Sequence, residues 1–175
     1  MPLTVLNFQH WSPVMPHTLA ENEITQSNLA EQLENAGWVV ELDEDHIGLR
    51  SEGGLYFTLY LDAERRFLRL YCYLPFRNDF NDQLELVNTL NSDVFLAGFS
   101  LSEDRSLLRI LYQMSYHRGL ILPQFARLVR QYEGIIDYVR STFDADRRIF
   151  YRAGDDAEGE TEGNDNGASE DRVLQ

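Results

Sequence analysis

Four histidines and one cysteine are the side chains in this chain best suited to nucleophilic, acid–base or metal chemistry. Such chemistry needs groups that converge, with ionisation constants tuned by their neighbours. His10, His17, His46 and His117 are instead scattered over the N-terminal region and turns, with no pair at i, i+4 and no cysteine partner for a zinc site. Cys72 falls in the middle of an alternating apolar run, where cysteine behaves as a small hydrophobe. Asp43-Glu44-Asp45 lacks the spaced ligands and turning glycine of a calcium loop and reads as a solvated turn. Ser51-Glu52-Gly53-Gly54 is too short to cradle a phosphate, and no P-loop, GxGxxG or GxSxG pattern occurs. No catalytic residue, metal ligand or cofactor is expected.

The charge narrows the partners. Net charge is −14 and every basic residue is an arginine. Nucleic-acid affinity rests on neutralising phosphates, so neither free nucleic acid nor an anionic membrane suits this chain. The N-terminus lacks the cationic start of a secretory signal, and no apolar run nears the length of a membrane span. A single cysteine rules out an internal disulfide. The expected location is the cytoplasm.

The 175 residues suit one domain. Residues 1–22 are turn-rich and irregular, with Val5, Leu6, Phe8 and Trp11 among three prolines. Residues 23–143 carry periodic patterns, inside a domain expected to run over residues 23–152. From Asp144 onward acids, Gly, Ser and Asn dominate, and after Tyr151 only Val173 and Leu174 are large and apolar, a composition that predicts a disordered acidic tail over residues 153–175.

Within the periodic part, Thr25 is a candidate N-cap, with Ile24 and Leu29 at hydrophobic-staple spacing and Gly37 closing the helix. Strands follow over residues 38–42, 46–50, 55–61 and 66–74, the last ended by Pro75. Asp79 can cap a second helix through about Asn91, with Phe80, Leu84, Val87 and Leu90 at helical spacing. A second hairpin spans residues 94–101 and 107–116. Pro123 starts the last helix at N1, and Phe125, Leu128, Val129, Tyr132, Ile135, Ile136, Val139 and Phe143 form its apolar stripe. The order α-β-β-β-β-α-β-β-α predicts an α+β fold: a mainly antiparallel sheet with three helices.

The two central strands have two distinct faces. Leu55, Phe57, Leu59 and Leu61 share one with Leu68, Leu70, Cys72 and Leu74, the set expected under the long helix. Tyr56, Thr58 and Tyr60 share the other with Phe67, Arg69, Tyr71 and Tyr73. Tyr and Arg are enriched at binding hot spots, so Tyr56, Tyr60, Phe67, Arg69, Tyr71 and Tyr73 are the candidate partner-binding residues. The competing expectation is that the tyrosines only stabilise the sheet through cross-strand pairs.

Residues 107–113, Gly119, and the helix from Pro123 to Glu133 resemble the YbjN family of bacterial proteins, as do Leu33-Glu34-Asn35-Ala36-Gly37-Trp38 and Asn88-Thr89-Leu90-Asn91. The resemblance runs over about residues 25–143. It implies the fold of type III secretion chaperones and a role as a "putative sensory transduction regulator", without a catalytic motif. Chaperones of that fold are small acidic homodimers that hold an extended stretch of a partner. By that resemblance the dimer interface is expected at Phe80, Leu84, Val87, Phe95 and Phe99. The resulting expectation is a non-catalytic protein-binding module, a chaperone-like or regulatory adaptor with a protein partner. An enzyme with an unrecognised pocket and an acidic competitor of nucleic-acid-binding proteins are the alternatives.

Overall fold

Thr25 caps the first helix as its position suggests: its hydroxyl accepts the Asn28 N–H at 3.2 Å. Helix α1 runs Gln26–Asn35 and buries Leu29, Ala30 and Leu33. Gly37, at φ +91°, turns the chain out of the helix in the left-handed region that favours glycine. This computed structural model describes residues 18–51 and 54–151. The apolar residues Val5, Leu6, Phe8 and Trp11, the histidines His10 and His17, and the acidic stretch 153–175 lie outside the described residues.

Six strands form the main sheet: β2 (Val39–Leu42), β3 (Ile47–Arg50), β4 (Tyr56–Asp62), β5 (Phe67–Pro75), β6 (Gly98–Leu101) and β7 (Leu107–Ser115). Their order is β2-β3-β4-β5-β7-β6, and every neighbouring pair is antiparallel. A two-stranded piece pairs β1 (Thr18–Leu19) with β8 (Leu120–Ile121). Gly119 sits in that approach at φ +87°, where an added Cβ would collide with the Leu19 carbonyl oxygen.

Helix α2 spans Gln83–Asp93, and α3 spans Leu122–Tyr138 before a π-helical turn at Val139–Phe143. All three helices contribute to one core with the aliphatic sheet face. Phe125, Val129, Tyr132, Ile136 and Val139 of the expected stripe are buried. Tyr132 meets Phe57 edge-on at 5.4 Å and donates its hydroxyl to the Ile110 carbonyl at 2.8 Å. The chain then returns to the sheet: Phe150 is fully buried and bridges Phe76, and the Tyr151 N–H donates to the Pro75 carbonyl at 2.9 Å.

Several boundaries differ from the sequence reading. Helix α2 begins after Asp82 rather than Asp79, and Phe80 stacks on Phe76 at 5.6 Å instead of joining the helix. Its buried face is Leu86, Val87 and Leu90, while Leu84 is exposed. Strand β6 starts at Gly98, because Phe95 and Leu96 lie in a connecting loop where Leu96 takes φ +74°. Pro75 pairs with Leu107 as the last residue of β5 rather than ending it. Leu122, not Pro123, is the first residue of α3.

The two sheet edges are finished differently. On β6, the Asn91 side chain acts as a substitute strand: its Nδ2 donates to the Phe99 carbonyl and its Oδ1 accepts the Phe99 N–H, both at 3.0 Å. Open edges invite pairing with other chains, and this one is plugged. Replacing Asn91 with alanine leaves both part-buried groups without that partner, an expected loss of about 0.5–1.5 kcal/mol. Urea denaturation measures the loss, and light scattering is expected to reveal concentration-dependent association. The opposite edge, β2, has no such plug among the described residues. The Asp43 N–H donates to the His46 carbonyl at 3.0 Å, and the alternation from that pair turns the backbone groups of Val40 and Leu42 away from β3.

Candidate protein-binding surface

The helices bury their apolar residues against the aliphatic face, which leaves the other face of the sheet without a helix among the described residues. The period-2 alternation of β4 and β5 puts the six candidate residues there. Tyr56 and Tyr73 are exposed, and Tyr60, Phe67, Arg69 and Tyr71 are half-buried by their neighbours.

Register assembles them into one aromatic track. Thr58 opposes Tyr71 and Tyr60 opposes Arg69. Tyr60 meets Tyr71 edge-on at 5.3 Å, and Tyr71 lies parallel to Tyr73 at 6.3 Å. His46 extends the track by stacking on Tyr60 at 5.3 Å. Tyr56 lies over Gly48, where an added Cβ would stand 2.5 Å from its hydroxyl. The Arg50 guanidinium sits 5.5 Å from the Tyr56 ring centre. Desolvation beside Glu41 raises the Tyr56 phenol above its usual range, so it stays a neutral donor at physiological pH.

One charged pair marks the end of the track. Arg69 donates to Asp62 at 2.6 Å, and Asp62 also accepts the Arg65 backbone N–H at 3.0 Å. That backbone bond, followed by the attraction of Arg69 and Arg65, holds the Asp62 carboxyl below its usual value.

The sequence reading missed the flanks of this surface. His46 and Arg50 enter through the β3–β4 pairing, and Arg109, Leu111 and Gln113 enter by opposing Tyr73, Tyr71 and Arg69. The β7 run does alternate in sequence, so its faces were legible. Which face joins the tyrosines depends on the pairing of β5 with β7 across α2.

The residues expected at a dimer interface divide. Val87 and Phe99 are buried in the protein's own core, and Phe80 is partly buried against Phe76. Val87 and Phe99 lie where α2 packs on β6. Leu84 (55% exposed) and Phe95 (85% exposed) face outward, beside Leu96.

Nothing around the other candidates converges among the described residues. Among the described residues, no three His, Cys, Asp or Glu side chains group as a metal site. Cys72 is buried, and burial pushes its thiol up to about 12, away from thiolate reactivity. His46 lies 2.7 Å from Asp45 in a surface turn, and His117 contacts Arg66 at 3.3 Å. No helix among the described residues is long and apolar enough to cross a membrane.

The chain is similar in fold to the crystal structure of YbjN, "a putative transcription regulator" from E. coli. The TM-score is 0.60 at 18% identity, covering 74% of this chain and 97% of that one. Two complexes give weaker likenesses. The HopA1–SchA chaperone–effector complex matches with a TM-score of 0.48 at 20% identity, over 67% of this chain and 96% of the other. The ExsC–ExsE complex matches at 0.49 and 20%, over 66% and 93%. No curated protein matches the sequence. The model of the YbjN family, described as "putative bacterial sensory transduction regulator", matches residues 25–145. With about two-thirds of its length inside that match, this chain belongs to the YbjN family.

Proposed function

We propose that this protein is a non-catalytic binding module of the cytoplasm, a chaperone-like or regulatory adaptor that holds a segment of another protein on its tyrosine-rich sheet face. One observation carries the reading: a continuous aromatic track, flanked by Arg50 and Arg69, on a sheet face that no described helix covers. Tyrosine presents a large rigid area with a polar tip, which suits a surface that meets water and protein in turn. The adjoining β2 edge, whose backbone at Val40 and Leu42 pairs with no described residue, suits an extended partner segment that adds as a further strand. The protein works as a homodimer in this reading, with Phe95 and Leu84 as the contact.

The test replaces Tyr71 and Tyr73 together by serine. Affinity capture with the wild-type chain is expected to retain a stoichiometric protein partner. The double variant is expected to lose it while keeping its cooperative unfolding transition, and light scattering on both preparations is expected to give the mass of a dimer. A variant that unfolds, or one that retains the partner in full, contradicts the assignment of this face.

A further inference from the structure

A second site lies at the end of the sheet where α1 hands over to β2. A cavity of about 230 Å³ opens there between Gly37, Trp38 and Val39 on one side and Arg50, Ser51, Arg130 and Glu133 on the other. Its size is below that of pockets for drug-sized ligands, which run from roughly 300 to 1,000 Å³, and suits a small polar group.

Two guanidinium groups line this one small space. Arg130 uses Nη2 on the Ala36 carbonyl at 2.8 Å, and Arg50 uses Nη2 on Glu41 at 3.3 Å. Each guanidinium carries five N–H donors, so most of their capacity is uncommitted to those bonds. Glu133, one turn from Arg130 on α3, forms no ion pair with either arginine. The Trp38 side chain forms one wall of the cavity. It is more than nine-tenths buried, and its Nε1–H is the one buried side-chain nitrogen or oxygen among the described residues without a hydrogen-bond partner.

We propose that this cavity binds a carboxylate, held by the forked donors of Arg50 and Arg130 beside the indole of Trp38. Paired N–H donors of a guanidinium match the two oxygens of a carboxylate in one plane. The charge balance selects that group over phosphate. Glu133 in the lining and Glu41, which pairs with Arg50, offset the two arginines, so a doubly charged anion meets more repulsion than a singly charged one.

Two sources supply such a group. One is a free small acid. The other is the chain's own acidic stretch: Tyr151 ends on the Pro75 carbonyl, and Arg50 and Pro75 lie toward the same end of the sheet. Asp155 follows Tyr151 by four residues, a reach of roughly 14 Å.

The experiment uses the full chain with Trp11→Phe, which leaves Trp38 as the single indole reporter. Acetate is titrated at constant ionic strength, with inorganic phosphate as the comparison. A saturable change in Trp38 emission is expected with acetate. It is expected to weaken about tenfold in Arg50→Gln and in Arg130→Lys, the latter keeping a charge and a donor for Ala36 but losing the fork. The same titration is run with Asp155→Asn, Asp156→Asn, Glu158→Gln and Glu160→Gln combined. Tighter acetate binding there assigns the cavity to the chain's own acids, and unchanged binding assigns it to a free acid. No saturable response in either background overturns the proposal. So does a response undiminished by Arg50→Gln combined with Arg130→Lys, or phosphate binding tighter than acetate.

Discussion

Replacing Tyr132 by alanine is expected to lower the free energy of unfolding by about 3–5 kcal/mol, the range for deleting a fully buried aromatic ring. Tyr132 is 1% exposed and joins the long helix to the sheet twice, through Phe57 at 5.4 Å and the Ile110 carbonyl at 2.8 Å. Phenylalanine at this position keeps the ring and removes only the hydrogen bond, so its expected cost is about 0.5–1.5 kcal/mol. Urea denaturation separates the two: both variants should shift the midpoint at an unchanged slope. Equal losses would mean that the hydroxyl, and not the ring, anchors α3.

Alkaline pH is expected to destabilise the fold through Cys72. Burial is the main cause of its raised constant, from 9.0 to about 12, with the Arg140 charge opposing. Below pH 9 the thiol keeps its proton in both the folded and unfolded chain, and the folded state is unaffected. Between pH 9 and 12 the unfolded chain releases that proton while the folded chain holds it, so unfolding becomes progressively easier. The slope reaches at most about 1.4 kcal/mol per pH unit, and the full shift amounts to about 4 kcal/mol. Cys72→Ala should flatten the stability curve most clearly near pH 9, below the midpoint near pH 10 at which the phenols of the unfolded chain titrate. A variant curve parallel to the wild type under reducing conditions would show that Cys72 is not the group responsible. The buried Tyr132 phenol, also raised by desolvation, acts in the same direction at higher pH.

How much of this was legible follows from which patterns are local. The faces of β4 and β5 could be read directly, because strict alternation fixes which side chains share a side once either side is buried. The Thr25 cap and the stripe from Phe125 to Val139 were equally local. Phe80 was misassigned because its spacing from Leu84 and Val87 fits a helix, whereas Phe76 and Phe150 offer it an aromatic stack instead. Nothing in the segments of Val87 and Phe99 shows that α2 lies on β6. The pairing of Thr18–Leu19 with Leu120–Ile121 is too short to leave any periodicity. The carboxylate cavity joins Gly37, Arg50 and Arg130, which lie far apart in sequence and share no motif.

The aromatic face and the cavity meet at Arg50, which lines one and stacks on Tyr56 in the other. The family likeness places the fold firmly, while these two sites rest on the residues of this chain. The E. coli relative is similar at 18% identity, a level at which backbone shape carries over and side-chain chemistry does not follow from it.

The position of α3 has a consequence for how the protein is made. By residue 74 the ribosome has already produced the aliphatic side of β4 and β5, but the helix that covers it begins only at Leu122. At synthesis rates of about 5–20 residues per second, the stretch from residue 75 to Tyr138 takes roughly 3–13 seconds, during which that apolar side has only α1 to cover it. Translation speed through the segment encoding α2 and the second hairpin therefore sets how long a growing copy is prone to stick to its neighbours on the same message.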